Sequence, residues 1–116
     1  MSDNLSFTVE RNGSLAVVGV TGRIDSSTSG LFEEQMETVF AESPDAVIID
    51  LESLDYMSSA GLRVLLMAAK STKAQGRRLV LCGLSPNIRE VFDISGFSAI
   101  FEIADSRSEA ESRAQA

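Results

Sequence analysis

Ser58 and Ser59 stand side by side in the stretch AVIIDLESLDYMSSAGLRVLLMAA, residues 46–69, between segments of different periodicity. Val47, Ile48 and Ile49 form a continuous apolar run, as a strand does when both of its faces are covered. From Leu62 the apolar residues fall at Leu62, Leu65, Leu66 and Ala69, one face of an amphipathic helix. The serine pair therefore opens a helix directly after a buried strand. A hydroxyl there can cap the free N–H groups of the first turn. A phosphate attached there would meet the same donors and the positive end of the helix dipole. On spacing alone the pair suits plain capping first, and it also suits the holding of an anion.

The elements around this pair follow from patterning. Leu5, Phe7 and Val9 alternate with polar residues and predict a half-exposed strand. Arg11-Asn12-Gly13 is a turn, and Leu15 to Val20 is the returning strand. Ser26-Ser27-Thr28 offers several N-caps for a first helix whose inner face is Phe32, Met36, Val39 and Phe40, ending at Ser43-Pro44-Asp45. The serine-capped helix runs to about Ala74, where Gln75-Gly76 stops it, and Arg78 to Cys82 is the next strand. Ser85-Pro86 starts a helix with Ile88, Val91 and Phe92 inward and Gly96 at its end. Ala99 to Ile103 reads as a short final strand. From about Asp105 the chain is a polar tail with the composition of a frayed last helix. Alternating strands and helices imply an α/β fold: a mostly parallel central sheet, one antiparallel edge strand and about four helices. Loops at the carboxyl ends of parallel strands share one side of the sheet. Asp25 and the segment Leu54 to Gly61 are therefore expected to meet there.

The length of 116 residues predicts a single domain over 1–116. A net charge of −7 argues against nucleic acid and anionic membrane as direct partners. Histidine is absent, which removes the usual zinc sites and the Ser-His-Asp triad, and no cofactor or metal is expected. Cys82 is the sole cysteine and reads as a small buried residue. The first residues have no signal-peptide pattern, and no apolar stretch reaches the roughly 20 residues that span a bilayer. A cytoplasmic protein without membrane insertion is expected.

Asp50-Leu51, followed by Tyr56-Met57-Ser58-Ser59-Ala60-Gly61-Leu62, resembles the signature of STAS domains, and within them of the bacterial anti-sigma-factor antagonists. Gly22-Arg23-Ile24-Asp25, Gly76-Arg77-Arg78 and Leu84-Ser85-Pro86 through Gly96-Phe97 also look like that family, so the resemblance covers about Leu5 to Ile103. It implies a STAS-like sandwich and a partner-switching regulator that is not an enzyme. The implied partner is a serine protein kinase with a histidine-kinase-like ATPase fold that doubles as an anti-sigma factor. A metal-dependent serine phosphatase would reset the switch. By the same resemblance Ser59 is the phosphate acceptor, with Ser58 in place of the family's aspartate and an alternative acceptor. The expected partner surface is Asp25, Ser27, Met57, Ser58, Ser59, Gly61 and Arg63. Asp25 is equally a capping residue on spacing alone, and Arg63 equally a solvated one.

Two other readings remain open. The same surface could serve constitutive contact in a STAS subunit of a lipid-transport or sensory assembly. Asp50, ending a buried strand, resembles a receiver's acceptor, but the acidic pair and the lysine that receivers need are missing at the matching strand ends.

Overall fold

The apolar runs become strands. β1 (Leu5–Asn12) and β2 (Leu15–Ile24) pair antiparallel, from Leu5 opposite Gly22 to Asn12 opposite Leu15. They turn at Gly13, whose φ of 64° suits glycine, and Ser14, one residue later than the sequence suggested. The computed structural model describes residues 5–115, and among those it builds a six-stranded sheet with four α-helices. After α1 (Ser29–Ala41) come β3 (Ala46–Asp50), β4 (Leu54–Met57), α2 (Ser59–Ala74) and β5 (Arg78–Cys82). Then follow α3 (Pro86–Ile94), a 3-10 turn (Phe97–Ala99), β6 (Glu102–Ala104) and α4 (Arg107–Ala114). The strand order is β1-β2-β3-β5-β6, parallel from β2 onward, with β4 also parallel to β2.

β2 is long enough to carry two neighbours on one edge. Leu15 to Gly19 pair with β3, and Gly22 to Ile24 pair with β4. Val20 and Thr21 separate the two, and a register shift between Gly22 and Arg23, with Gly22 at φ 114°, falls within the β4 pairing. β4 and the extension of β2 to Ile24 correct the sequence reading, which places these residues in loops. The physical reason is visible in β4 itself. Leu54 and Met57 are buried and Asp55 and Tyr56 exposed, a pattern without period-two alternation.

One face of the sheet packs on α1, α2 and α3 through a core that includes Val18, Val20, Ile24, Phe32, Ile49, Leu65 and Phe92. Each such side chain, fully buried, contributes about 1.5–3 kcal/mol. On α2 the buried residues are Gly61, Leu62, Val64, Leu65, Ala68 and Thr72. Leu66 and Ala69 are only half-buried, so the inner stripe is turned toward Val64 and Ala68. Val91, expected inward on α3, is 40% exposed, because Ile88 and Phe92 already fill that contact.

The expected strand Ala99–Ile103 is shorter and later, at Glu102–Ala104. Phe97 and Phe101, four residues apart, both pack on Phe92 with ring centroids 6.4 and 5.5 Å away. That pairing curls the segment into the 3-10 turn before it can extend. The opposite face of the sheet carries Leu15, Val17, Ala46, Ile48, Val80, Cys82 and Ala104, beneath Ala110 of α4. Arg107 ties that helix to Glu10 of β1 at 2.6 Å, and Arg113 donates to the Ile103 carbonyl at 3.3 Å. Ser106 and Glu109 cap its start, so the polar residues after Asp105 hold an ordered cover.

Candidate functional site

β2 and β4 end together, and the site is built on that shared end. The Ser58 N–H donates to the Ile24 carbonyl at 2.8 Å, and the Gly22 N–H to the Ser53 carbonyl at 3.1 Å. The loop after β2 and the start of α2 are thereby fixed against each other, with Asp25 one residue beyond the shared bond. Gly61 completes the fit. A Cβ on it would lie 2.6 Å from Ile24 Cγ2 and 2.9 Å from Met57 Cγ, so only glycine lets the first turn of α2 settle this closely.

The two serines differ in accessibility. Ser58 is the N-cap of α2, with extended backbone (φ −86°, ψ 175°), and its carbonyl accepts from the Leu62 N–H at 3.1 Å. Its hydroxyl oxygen makes no capping bond, and it is buried without a hydrogen-bond partner. Ser59, the first residue of the helix, is exposed. α2 has no acidic residue in its first turn, so its free N–H groups receive no negative charge from the helix itself. Of the pair, Ser59 alone offers a hydroxyl to a reagent from solution.

Asp25 lies on the same surface, but its carboxylate is committed to its own loop. Oδ1 accepts from the Ser27 N–H at 2.9 Å, the Ser27 hydroxyl at 2.7 Å and the Thr28 N–H at 3.2 Å. The Ser27 hydroxyl and backbone bonds, helped to a lesser extent by those of Thr28, hold its pKa below the ordinary 3.8 against the opposing effect of desolvation. Thr28, buried, donates to the Arg23 carbonyl at 2.9 Å and accepts from the Asp25 N–H at 2.9 Å. The capping role of Asp25 is therefore present in the geometry, and it shapes the surface that a partner would meet.

Ser27 and Arg63 are exposed beside this loop and on α2. Met57 and Gly61 are buried against each other and Ile24, which corrects their expected place among surface contacts. Their contribution is to set where Ser58 and Ser59 sit. Sequence reasoning missed Arg23 and Tyr56, which face each other across β2 and β4 with the guanidinium 4.6 Å from the ring centroid. No spacing rule links residues 23 and 56; only the register of a strand not foreseen does so.

Asp50 accepts from the Glu52 N–H at 3.0 Å, and Gly83, at φ 75°, closes on its carboxylate so tightly that a Cβ would lie 2.8 Å away. Its carboxylate supports a turn. Among the described residues no group of three His, Cys, Asp or Glu side chains is gathered to hold a metal, and no helix is long and apolar enough to cross a membrane.

Residues 6–110 match the STAS domain family. BtrV of Bordetella bronchiseptica, assigned as an anti-sigma factor antagonist, is 38% identical over 103 residues, 89% of either chain. The anti-sigma-B factor antagonist of Listeria monocytogenes is 36% identical over 101 residues, covering 86% of this chain and 89% of its own. In three dimensions the fold superimposes on an anti-sigma factor antagonist from Mycobacterium paratuberculosis with a TM-score of 0.90. That match has 24% identity and covers 97% of this chain and 95% of the other. On sequence and fold together, the chain belongs to the STAS domain family, among the bacterial anti-sigma-factor antagonists.

Proposed function

We propose that this protein is a cytoplasmic partner-switching antagonist whose binding surface is governed by phosphate on Ser59. Unphosphorylated, it docks through the Asp25–Thr28 loop and the start of α2 on a serine kinase with a histidine-kinase-like ATPase fold, releasing what that kinase holds captive. The kinase transfers the γ-phosphoryl group of ATP to the Ser59 oxygen, ADP leaves, and the hydroxyl proton passes to a base on the kinase. A metal-dependent serine phosphatase restores the hydroxyl. One observation carries this reading: Ser59 is exposed at the first position of a helix, beside a rigid loop, while the Ser58 hydroxyl oxygen is buried.

The size of the effect follows from charge. A phosphate adds about −1.5 to −2 charges, and Asp25 and Asp55 already lie on neighbouring segments. Opposing like charges across an interface costs several kcal/mol, and each ~1.4 kcal/mol is tenfold in affinity. One phosphate therefore weakens docking about a hundredfold or more. Incubation with the host's candidate kinases and ATP, followed by mass spectrometry, is the test. Phosphate at Ser59 that disappears in Ser59→Ala supports the switch. A Ser59→Asp protein that binds the cognate kinase as tightly as wild type would sink it. No phosphate with any kinase would favour constitutive binding through the same surface.

A further inference from the structure

Arg63 follows Ser59 by four residues on α2, which places the two side chains on one face, a turn apart. Both are exposed. All eight arginines of the chain lie among the described residues, and Arg63 alone has no partner there. Arg11, Arg78, Arg89, Arg107 and Arg113 pair with carboxylates. Arg23 lies on the Tyr56 ring, and Arg77 donates to the Pro44 carbonyl. The first turn of α2 contains no acidic residue, and the Ser58 hydroxyl caps none of its N–H groups. Positive charge at this helix start thus meets no carboxylate of the helix's own first turn in the unphosphorylated protein, in a chain that is otherwise acidic.

We propose that Arg63 is the internal counter-ion of a phosphate on Ser59, the two closing into a pair across the first turn of α2. The proposal rests on Ser59 being the acceptor. Acid N-terminal to base at this spacing is the favourable orientation on a helix, and the guanidinium can meet two phosphate oxygens at once. Phosphorylation then alters the docking surface twice over. It adds an anion, and it withdraws the one uncommitted arginine that the unphosphorylated surface presents to an acidic partner. Arg63 is a positioning residue for the phosphate and a contact residue only in its absence.

The test installs phosphoserine at position 59 during synthesis, so no kinase is needed. The second ionisation of the phosphate is followed by phosphorus NMR between about pH 4.5 and 8 in the protein with Arg63, in Arg63→Lys and in Arg63→Gln. An isolated phosphoserine loses this proton near about pH 6. With Arg63 the pKa should lie lower than in Arg63→Gln by about 0.2–0.4 unit, the size expected of an exposed pair at this spacing. Lysine should restore most of the difference. The Arg63 Nε–H resonance should titrate with the phosphate while that of Arg89 stays fixed. Equal pKa values with arginine and glutamine, or an Arg63 resonance that ignores the phosphate, would overturn the proposal. Residue 63 is exposed, and thermal melts of the three unphosphorylated proteins verify that the fold is unchanged. Because the phosphate is supplied in synthesis, failure here leaves the kinase reading intact. Failure of every kinase to modify Ser59 would leave this result standing.

Discussion

Replacing Gly61 by alanine should destabilise the protein, although alanine is the better helix former. Without a tertiary clash the substitution would gain up to about 1 kcal/mol through propensity and reduced freedom of the unfolded chain. The added Cβ, however, would lie 2.6 Å from Ile24 Cγ2 and 2.9 Å from Met57 Cγ. Carbon contacts are comfortable at about 3.5–4.0 Å, so something must move by about 1 Å. Met57 can flex, but Ile24 is wholly buried between β2 and α2 and has little room to yield. Overpacking of this kind costs about 1–3 kcal/mol. The net loss should be about 1–2 kcal/mol, or about 4–8 °C in Tm for a chain of this length. Gly30 in α1 is the internal control, since a Cβ added there would meet nothing within 4 Å. Gly30→Ala should gain about 0.4–1 kcal/mol. Urea denaturation of both variants, with unchanged m-values, makes the comparison. A Gly61→Ala protein as stable as wild type would show that α2 does not need this close approach and would refute the packing argument.

The helix starts give a second contrast. Ser85→Ala and Ser106→Ala should each cost about 1 kcal/mol in chemical denaturation, since their hydroxyls accept from the Ile88 and Glu109 N–H groups. Ser58→Ala should cost nothing and should raise stability by up to about 1 kcal/mol, because its buried hydroxyl oxygen has no bond to lose and is desolvated without a partner. Asp25 bears on acid stability. Its folded pKa is depressed, so its contribution is complete above the unfolded value of 3.8 and is lost as pH falls through the lower folded value. Wild type should therefore lose stability more steeply than Asp25→Asn below about pH 4, as measured by urea titrations across that range. Cys82 reports on α4. Burial, and next the charge of Asp50, push its thiol up to about 12, so a thiol reagent at neutral pH should react only through opening of the fold. Arg107→Ala, which removes the pairs with Glu10 and Glu111, should speed that reaction about two- to fivefold.

Residues buried on both faces of the sheet were legible as apolar runs, so β3, β5 and the inner part of β2 could be read from the sequence. α1, α2 and α3 were legible from their apolar stripes, and the start of α3 also from its Ser85 cap. Thr28 and Ser58, by contrast, begin α1 and α2 without the side-chain capping bond that the sequence suggests. β4 was not legible, since two of its four residues face solvent together and its pairing with β2 is interrupted by a register shift. The serine pair was visible as a helix start, but the unequal exposure of its hydroxyls was not, since it arises in a segment fixed by the Ser58 N–H bond to Ile24, far earlier in the chain. The Arg23–Tyr56 stack was hidden for the same reason. Val91 fits the helical period on α3, yet a nine-residue helix over the edge of a sheet has room to bury only Ile88 and Phe92.

The two strands laid end to end along one edge of β2 make that strand a common ruler for the core and the surface. β3 takes its register from Leu15 to Gly19, and the stretch that leads into α2 takes its own from Gly22 to Ile24. A chain in which β2 has slipped or not yet formed would lose the Ile24–Ser58 bond along with the central sheet pairing. Its serines would then sit on an unanchored segment with no neighbouring loop. Folding of the central sheet and placement of the serine pair are thereby one event, so a damaged or unfinished copy would lack the surface proposed for docking.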